Sequence, residues 1–244
     1  MGRIGCICSK GITMKITILF DNRCDNEHLQ EGWGFSAWIE FEGANILFDT
    51  GGDPAAFRAN AEKMHLPYAA ITHLLFSHRH SDHIAGSSEI INKLSKDVSI
   101  YVPKTFPRHL IKNKKATVVR SFQEIAPNIY SLVLKGGFWL YEQALVLKTP
   151  KGLGIITGCA HPGIVEIIKA AKAHLNDDIY FVLGGFHLLF TPAEKSAGVV
   201  KEFKDLHVQK VAPCHCSGDH LIRQFKTAYG EDFLKVGTGT VLSF

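Results

Sequence analysis

The sequence predicts an α/β sandwich in which helices cover sheets on both outer faces. Three observations predict it. Segments rich in β-branched and aromatic residues recur along most of the chain. Within each portion of the chain, strand-like segments come first and helix-like segments follow. No Pro-, Gly- or Ser-rich linker interrupts the run, so residues 14–244 read as one domain. The chain has 244 residues, 46% of them apolar and 20% charged, ordinary values for a globular protein.

The elements are expected in the following order. Met14 opens the alternating run Met-Lys-Ile-Thr-Ile-Leu-Phe, a strand over residues 15–20. Residues 35–41 and 45–48 are the next strands. Asp53-Pro54 reads as an N-cap followed by proline at the first helical position, opening a helix to about His65. Residues 71–76 form a short apolar strand. A helix over Ala85 to Leu94 leads to a strand at 98–102. Residues 103–120 are less regular. Strands follow at 129–134, 144–149 and 153–157. Helix 163–174 leads to strand 179–183, helix 192–206 to strand 208–212, and helix 219–228 to short strands near 234–236 and 240–243. Residues 1–13 look unlike the rest and read as an upstream extension or a disordered tail. The Cys6-x-Cys8 pair within them is either a metal site or a pair of idle thiols.

Composition excludes several classes. No stretch of 18 apolar residues exists, so no membrane span is expected. The run Ile4 to Ile7 is too short for a signal-peptide core, which leaves a cytoplasmic protein as the expectation. Six cysteines in 244 residues do not make a disulfide framework and suit thiols or metal ligands. A net charge of +4 is too mild to argue for nucleic acid but suits an anionic small-molecule substrate.

One stretch concentrates the chemistry: Ser77-His78-Arg79-His80-Ser81-Asp82-His83. It lies directly after the apolar strand ending at Phe76 and directly before a helix, where a loop projects toward a ligand cleft. His78 and His80 are two apart and face the same way in an extended segment. Asp82 and His83 turn into the helix and can face a second centre. Imidazole and carboxylate together suit zinc, iron or manganese. The alternative is a polar surface loop rich in histidine.

His-x-His-x-Asp-His after an apolar strand resembles the signature of the metallo-β-lactamase superfamily. Phe48-Asp49-Thr50-Gly51 resembles its upstream strand-end aspartate, which supports the metal site from behind the ligands. Pro213-Cys214-His215 resembles its late strand-end histidine, which completes the second metal site. The resemblance runs from about residue 14 to the C-terminus. It implies a four-layer αββα fold with the metals at one edge. Thr157-Gly158-Cys159-Ala160-His161-Pro162-Gly163, Gly184-Gly185-Phe186-His187-Leu188, Pro213 to Gly218 and Val236 to Thr240 resemble one branch of metal-dependent hydrolase-like proteins. That branch includes the archaeal dihydropterin synthase of methanopterin biosynthesis. Most superfamily members carry a further histidine in the region that corresponds to Phe138–Gln143, where this chain has none. His161 is the first candidate to replace it and His187 the second. Cys159 stands where the superfamily often places an Asp or Cys at the second metal. Its other reading is a buried small residue, and that of His187 is a contact to substrate.

On this resemblance His78, His80 and His161 hold one divalent ion, and Asp82, His83 and His215 hold the other. The pair of ions, zinc in the first instance and iron or manganese otherwise, shares a hydroxide that Asp82 orients and deprotonates. The implied activity is hydrolysis of an ester, lactone or phosphoester by a dinuclear metal-dependent enzyme. Three rivals stand beside it. One is a transferase resembling the synthase, with metal-assisted loss of diphosphate. The others are an iron-dependent redox protein and a non-catalytic metal-binding protein.

The remaining features have plainer readings. Gly51-Gly52, Gly158, Gly163, Gly184-Gly185 and Gly218 flank strand ends, for turn chemistry or for close backbone approach to metal or phosphate. Cys214 and Cys216 flank His215 and, in a strand, point away from its face. Residues 98–123 hold no acid but hold Lys104, Arg108, Lys112, Lys114, Lys115 and Arg120, either a phosphate-binding wall or a solvated face. Trp33, Phe35 and Trp38 alternate at a strand start and are expected in the core. His28, His65, His73, His109, His174, His207 and His220 have no metal-ligand spacing.

Overall fold

The computed structural model describes residues 14–111 and 114–244. The expectations for residues 1–13, for Cys6 and Cys8, and for Lys112 lie outside the described residues.

The first half of the chain builds a seven-stranded sheet. It contains β1 (Met14–Phe20), β2 (Ser36–Phe41), β3 (Ala44–Phe48), β4 (His73–Leu75), β5 (Ser99–Pro103) and β6 (Ala116–Val119). The last strand of the chain, β13 (Val241–Ser243), adds to its edge, giving the order β13-β1-β2-β3-β4-β5-β6. The strands β7 (Gln123–Ala126), β8 (Ile129–Lys135), β9 (Tyr141–Thr149), β10 (Gly152–Thr157), β11 (Ile179–Gly185) and β12 (Lys210–Cys214) form the second sheet, in the order β12-β11-β10-β9-β8-β7. Pairing is parallel from β3 to β6 and from β10 to β12.

Helices cover both outer faces. On the first sheet lie α1 (Pro54–Lys63), the short α2 (Ser81–Ile84) and α3 (Ser87–Lys93); on the second lie α4 (Ile164–Leu175), α5 (Ala193–Asp205) and α6 (Asp219–Tyr229). The start of α1 follows from its sequence. Asp53 accepts hydrogen bonds from the N–H groups of Ala55 (2.9 Å) and Ala56 (3.1 Å), and Pro54 takes the first position. The spacing of Ile164, Ile167, Ile168 and Ala171 puts them on one buried face of α4, and the helix ends at Asn176 in the left-handed region (φ +47°).

Three apolar layers separate these four structural layers. Ile16, Ile39, Phe48, Leu145, Ile156 and Phe181 pack between the two sheets. Phe57, Leu74, Ile90 and Ile100 fill the space under α1 and α3. Ile155, Ile168, Phe186, Phe203 and Phe225 fill that under α4 to α6. The result is the four-layer αββα sandwich. Among the described residues no helix is long and apolar enough to cross a membrane.

Four local expectations need correction. The irregular stretch after residue 103 contains β6, and β7 was not foreseen at all; both are short edge strands whose few residues carry little pattern. The helix expected over 85–94 is α3, which starts at Ser87 after Gly86, and the short α2 precedes it. The strand expected near 234–236 does not form; an isolated bridge between Phe233 and Val211 takes its place. Trp33 is not in the core: it is 52% exposed, whereas Phe35 and Trp38 are buried.

Candidate metal centre

The parallel register puts several carboxyl ends of strands at one edge of the sandwich, the position where α/β sheets bind ligands. Asp49 follows β3, and Ser77 to His83 follow β4. Cys159 and His161 follow β10, His187 follows β11, and His215 follows β12. The two edges are fastened to each other. The Gln143 side chain on β9 donates to the carbonyls of Phe76 (2.7 Å) and Tyr101 (2.9 Å), and its backbone N–H donates to that of Ser77 (2.8 Å). At Gly158 a Cβ would stand 2.2 Å from Ser77 Oγ. That glycine therefore serves close packing between the sheets rather than approach to a phosphate.

Three sets of donor atoms result, each set lying within 4.8 Å of one another: His78, His80 and His161; Asp82, His83, Cys159 and His215; and Cys159, His161 and His187. All seven residues proposed as direct ligands from the sequence, together with His187, converge at this edge. His78 Nε2 lies 3.1 Å from His80 Nδ1, and His83 Nε2 lies 3.2 Å from Cys159 Sγ. Asp82 Oδ2 is 3.3 Å from His215 Nε2 and 3.5 Å from His83 Nε2.

The rings of His78, His83, His161 and His215 are each held from behind by a group on the other nitrogen, which fixes the tautomer and aims the free nitrogen inward. Asp49, fully buried, meets His83 Nδ1 at 2.7 Å and accepts from Ser77 N–H (2.7 Å) and Ser77 Oγ (2.6 Å). Ser77 Oγ in turn lies 2.9 Å from His78 Nδ1. Asn22 meets His215 Nδ1 at 2.9 Å, and Asp21 accepts from the His215 backbone N–H at 3.0 Å. Glu142, at the start of β9, accepts four hydrogen bonds: from the N–H groups of Cys159 (2.8 Å), Ala160 (2.7 Å) and His161 (2.8 Å), and from His161 Nδ1 (2.7 Å).

The backbone is strained at the same edge. Asp49 (φ +57°), Ala160 (+61°), His187 (+53°) and His215 (+47°) all adopt the left-handed region. That conformation costs a non-glycine residue about 1 kcal/mol or more, and such residues cluster at functional sites.

The charges point to cations. Burial pushes the Asp49 carboxyl well above its usual range, and the nearby Glu142 and Asp82 add to the effect. Burial would raise Glu142 as well, but His78 and His161 outweigh it and hold this carboxylate below its usual range. Asp82 is held low in the same way, against burial, by His215 and His83. Burial and the neighbouring His215 bring His83 down to about 3, and burial with His83 holds His78 far below its ordinary value. His215 Nε2 is buried and faces the Asp82 carboxylate, 3.3 Å away. The Asp82 carboxylate, the inward-facing ring nitrogens and the Cys159 thiol form a donor set that fits divalent cations.

Sequence reasoning missed several of these residues. Glu142 supplies the support where the search was for a histidine. An acid and an amide, Glu142-Gln143, beside an otherwise apolar strand was the available signal. Asp21 and Asn22 directly follow β1, and nothing in their spacing marks them. Cys216 was expected to face away from the cleft. Residues 215–217 instead form a 3₁₀ turn, and the Cys216 thiol lines the cleft and accepts from the His187 N–H at 3.3 Å. Cys214 does point into the apolar core. Among the described residues, none of the basic stretch lines the cleft. Lys104 stands over the Tyr141 ring (3.7 Å), and Lys114 donates to the carbonyls of Leu94 and Ser95.

Comparison with known proteins agrees with this geometry. Residues 44–131 match a family model described as a beta-lactamase superfamily domain. The chain is 26% identical to the 7,8-dihydropterin-6-methyl-4-(beta-D-ribofuranosyl)-aminobenzene-5'-phosphate synthase of Methanocaldococcus jannaschii, over 88% of this chain and 90% of that protein. It is similar to the crystal structure of Tm1679, a metal-dependent hydrolase of the beta-lactamase superfamily. The TM-score is 0.80 and the identity 27%, over 94% of this chain and 98% of that one. The metallo-beta-lactamase fold protein YhfI from Bacillus subtilis shares the fold at a TM-score of 0.70 and 15% identity, over 96% of this chain and all of that one, 100%. Residues 44–131 thus resemble a beta-lactamase superfamily domain, and the chain as a whole shares the metallo-β-lactamase fold of these proteins.

Proposed function

We propose that this chain is a dinuclear metal-dependent hydrolase acting on an ester, lactone or phosphoester of a small, anionic molecule. The observation that carries the reading is the meeting of two donor sets on the shared loop Cys159–His161. His78, His80 and His161 would hold one cation; Asp82, His83, Cys159 and His215 would hold the other. Two divalent cations there, zinc in the first instance, would activate water near neutral pH and stabilise negative charge on the oxygen of the bond being broken. Asp82, 16% exposed at its side chain, would orient such a water and could accept its proton. Asp49 and Glu142 keep the ligand rings fixed so that no reorganisation accompanies the reaction. His187 stands on the open side, its ring centroid 4.3 Å from that of His161, and faces the substrate. A ligand thiol must stay reduced, which fits action in the cytoplasm.

A second reading is a transferase, favoured by the 26% identity to the synthase over most of both chains. The same donor atoms would then hold an anionic leaving group. Metal analysis paired with a substrate panel separates the two. Two zinc or manganese ions per chain with turnover of a model phosphodiester or ester supports hydrolysis. Two ions with no hydrolysis, but with diphosphate release from a pterin donor, supports the transferase. Redox-active iron with oxygen uptake overturns both.

A further inference from the structure

Five large apolar side chains are exposed among the described residues: Trp33 (52%), Phe138 (82%), Trp139 (71%), Phe190 (95%) and Val241 (51%). The four aromatic ones are not scattered. Trp33 packs on the ligand ring of His215, with centroids 4.8 Å apart, and lines the cleft. Phe190 lines the same cleft, three residues after His187. Phe138 and Trp139 meet edge to face on the β8–β9 hairpin, whose Gly136 is so close to His161 that a Cβ there would stand 2.6 Å from the histidine's own. Each exposed aromatic thus stands beside the ligand cluster or on a loop packed against it.

The cleft between Trp33 and Phe190 has a volume of about 510 Å³, with His80, Asp82, Cys159 and His161 in its wall. That size suits a small molecule rather than a protein segment. Among the described residues no lysine or arginine lines it, so the ligand cluster is the place in the cleft for a negative group. Exposed aromatic rings hold few rotamers, lose little entropy on binding, and favour flat π-systems over saturated rings of equal area.

We propose that the mouth of this cleft is a stacking site for a planar aromatic ring, carried by a substrate whose oxyanion end reaches the ligand cluster. Trp33 and Phe190 are its specificity-determining residues. The proposal rests on the reading of the cluster as a metal centre and adds the chemical class of the rest of the substrate.

The test is binding of non-hydrolysable phosphonates to the zinc-loaded full chain, followed by calorimetry. The probes are methyl-, cyclohexyl-, phenyl- and 1-naphthylphosphonate. The naphthyl compound is expected to bind about tenfold more tightly than the cyclohexyl one, the factor that about 1.4 kcal/mol of stacking gives. Phe190→Ala, at a side chain that packs on nothing, is expected to reduce that preference to about threefold while methylphosphonate affinity stays the same. Trp33→Leu is expected to act in the same direction, with metal content measured alongside because Trp33 touches His215. Equal affinity for aryl and cyclohexyl probes, with methylphosphonate still bound, overturns this proposal alone. Failure of methylphosphonate itself to bind overturns the metal-centre reading and this proposal with it. A concentration-dependent dimer lost in Phe190→Ala, without aryl preference, assigns the aromatics to a self-interface and also overturns it.

Discussion

Glu142 accepts two hydrogen bonds from one residue, His161: from its backbone N–H at 2.8 Å and from its ring Nδ1 at 2.7 Å. The same carboxylate accepts from the N–H of Cys159 at 2.8 Å. One buried side chain therefore positions a donor in each of the two ligand sets. Glu142→Gln removes the charge and turns one acceptor into a donor facing two N–H groups. Metal affinity is expected to fall about 10- to 100-fold, the usual cost of losing such a support. Equilibrium dialysis with metal quantification checks this, and circular dichroism checks that the fold persists.

His80 is exposed and its removal leaves no cavity. His80→Ala is therefore expected to lower metal occupancy and abolish turnover with less than about 1 kcal/mol change in unfolding free energy. Full metal content together with full turnover would remove His80 from the ligand set.

Cys159 tests the soft donor. In the cobalt-substituted protein, Cys159→Ser is expected to abolish sulfur-to-cobalt charge-transfer absorption while the His78–His80–His161 set is retained. An unchanged spectrum and metal count would leave Cys159 as a packing residue beside Gly158.

The stability of metal-stripped protein is expected to depend on pH in a definite direction. His83 has a folded-state value near 3 against an ordinary 6.5, and His78 is shifted the same way. Between those values the unfolded chain binds more protons, so stability falls as pH drops, by about 1.4 kcal/mol per pH unit per group. Asp21, raised from 3.8 to about 6, and Asp49, raised also, act oppositely: the folded chain binds the extra protons, so their protonated forms favour folding as pH drops through that range. Below pH 4 this opposition ends. Asp82 and Glu142, with ordinary values of 3.8 and 4.5, are held below them in the folded state and lose their contribution as pH falls further. The thermal unfolding temperature is expected to fall gently from pH 6.5 to 4 and steeply below 4. A flat profile down to pH 3 would contradict these assignments.

Much of this centre was legible because its donors sit next to strand ends. Ser77 to His83 are contiguous, and Cys159, His161, His187 and His215 each come within four residues of an apolar strand. Glu142 was not legible because it enters from the beginning of an antiparallel strand, where no strand-end rule points. The position of Trp33 was not legible either. It precedes β2 by three residues, and alternation says nothing about a side chain outside the pleat. The edge strands β6 and β7 are four residues each, too short for a period-two pattern to stand out.

Anomalous diffraction from zinc-loaded crystals locates the cations themselves. Two peaks are expected, one among His78, His80 and His161 and one among Asp82, His83, Cys159 and His215. Those side chains splayed apart with no peak after reconstitution, or one peak bound by neither set, would contradict a dinuclear centre.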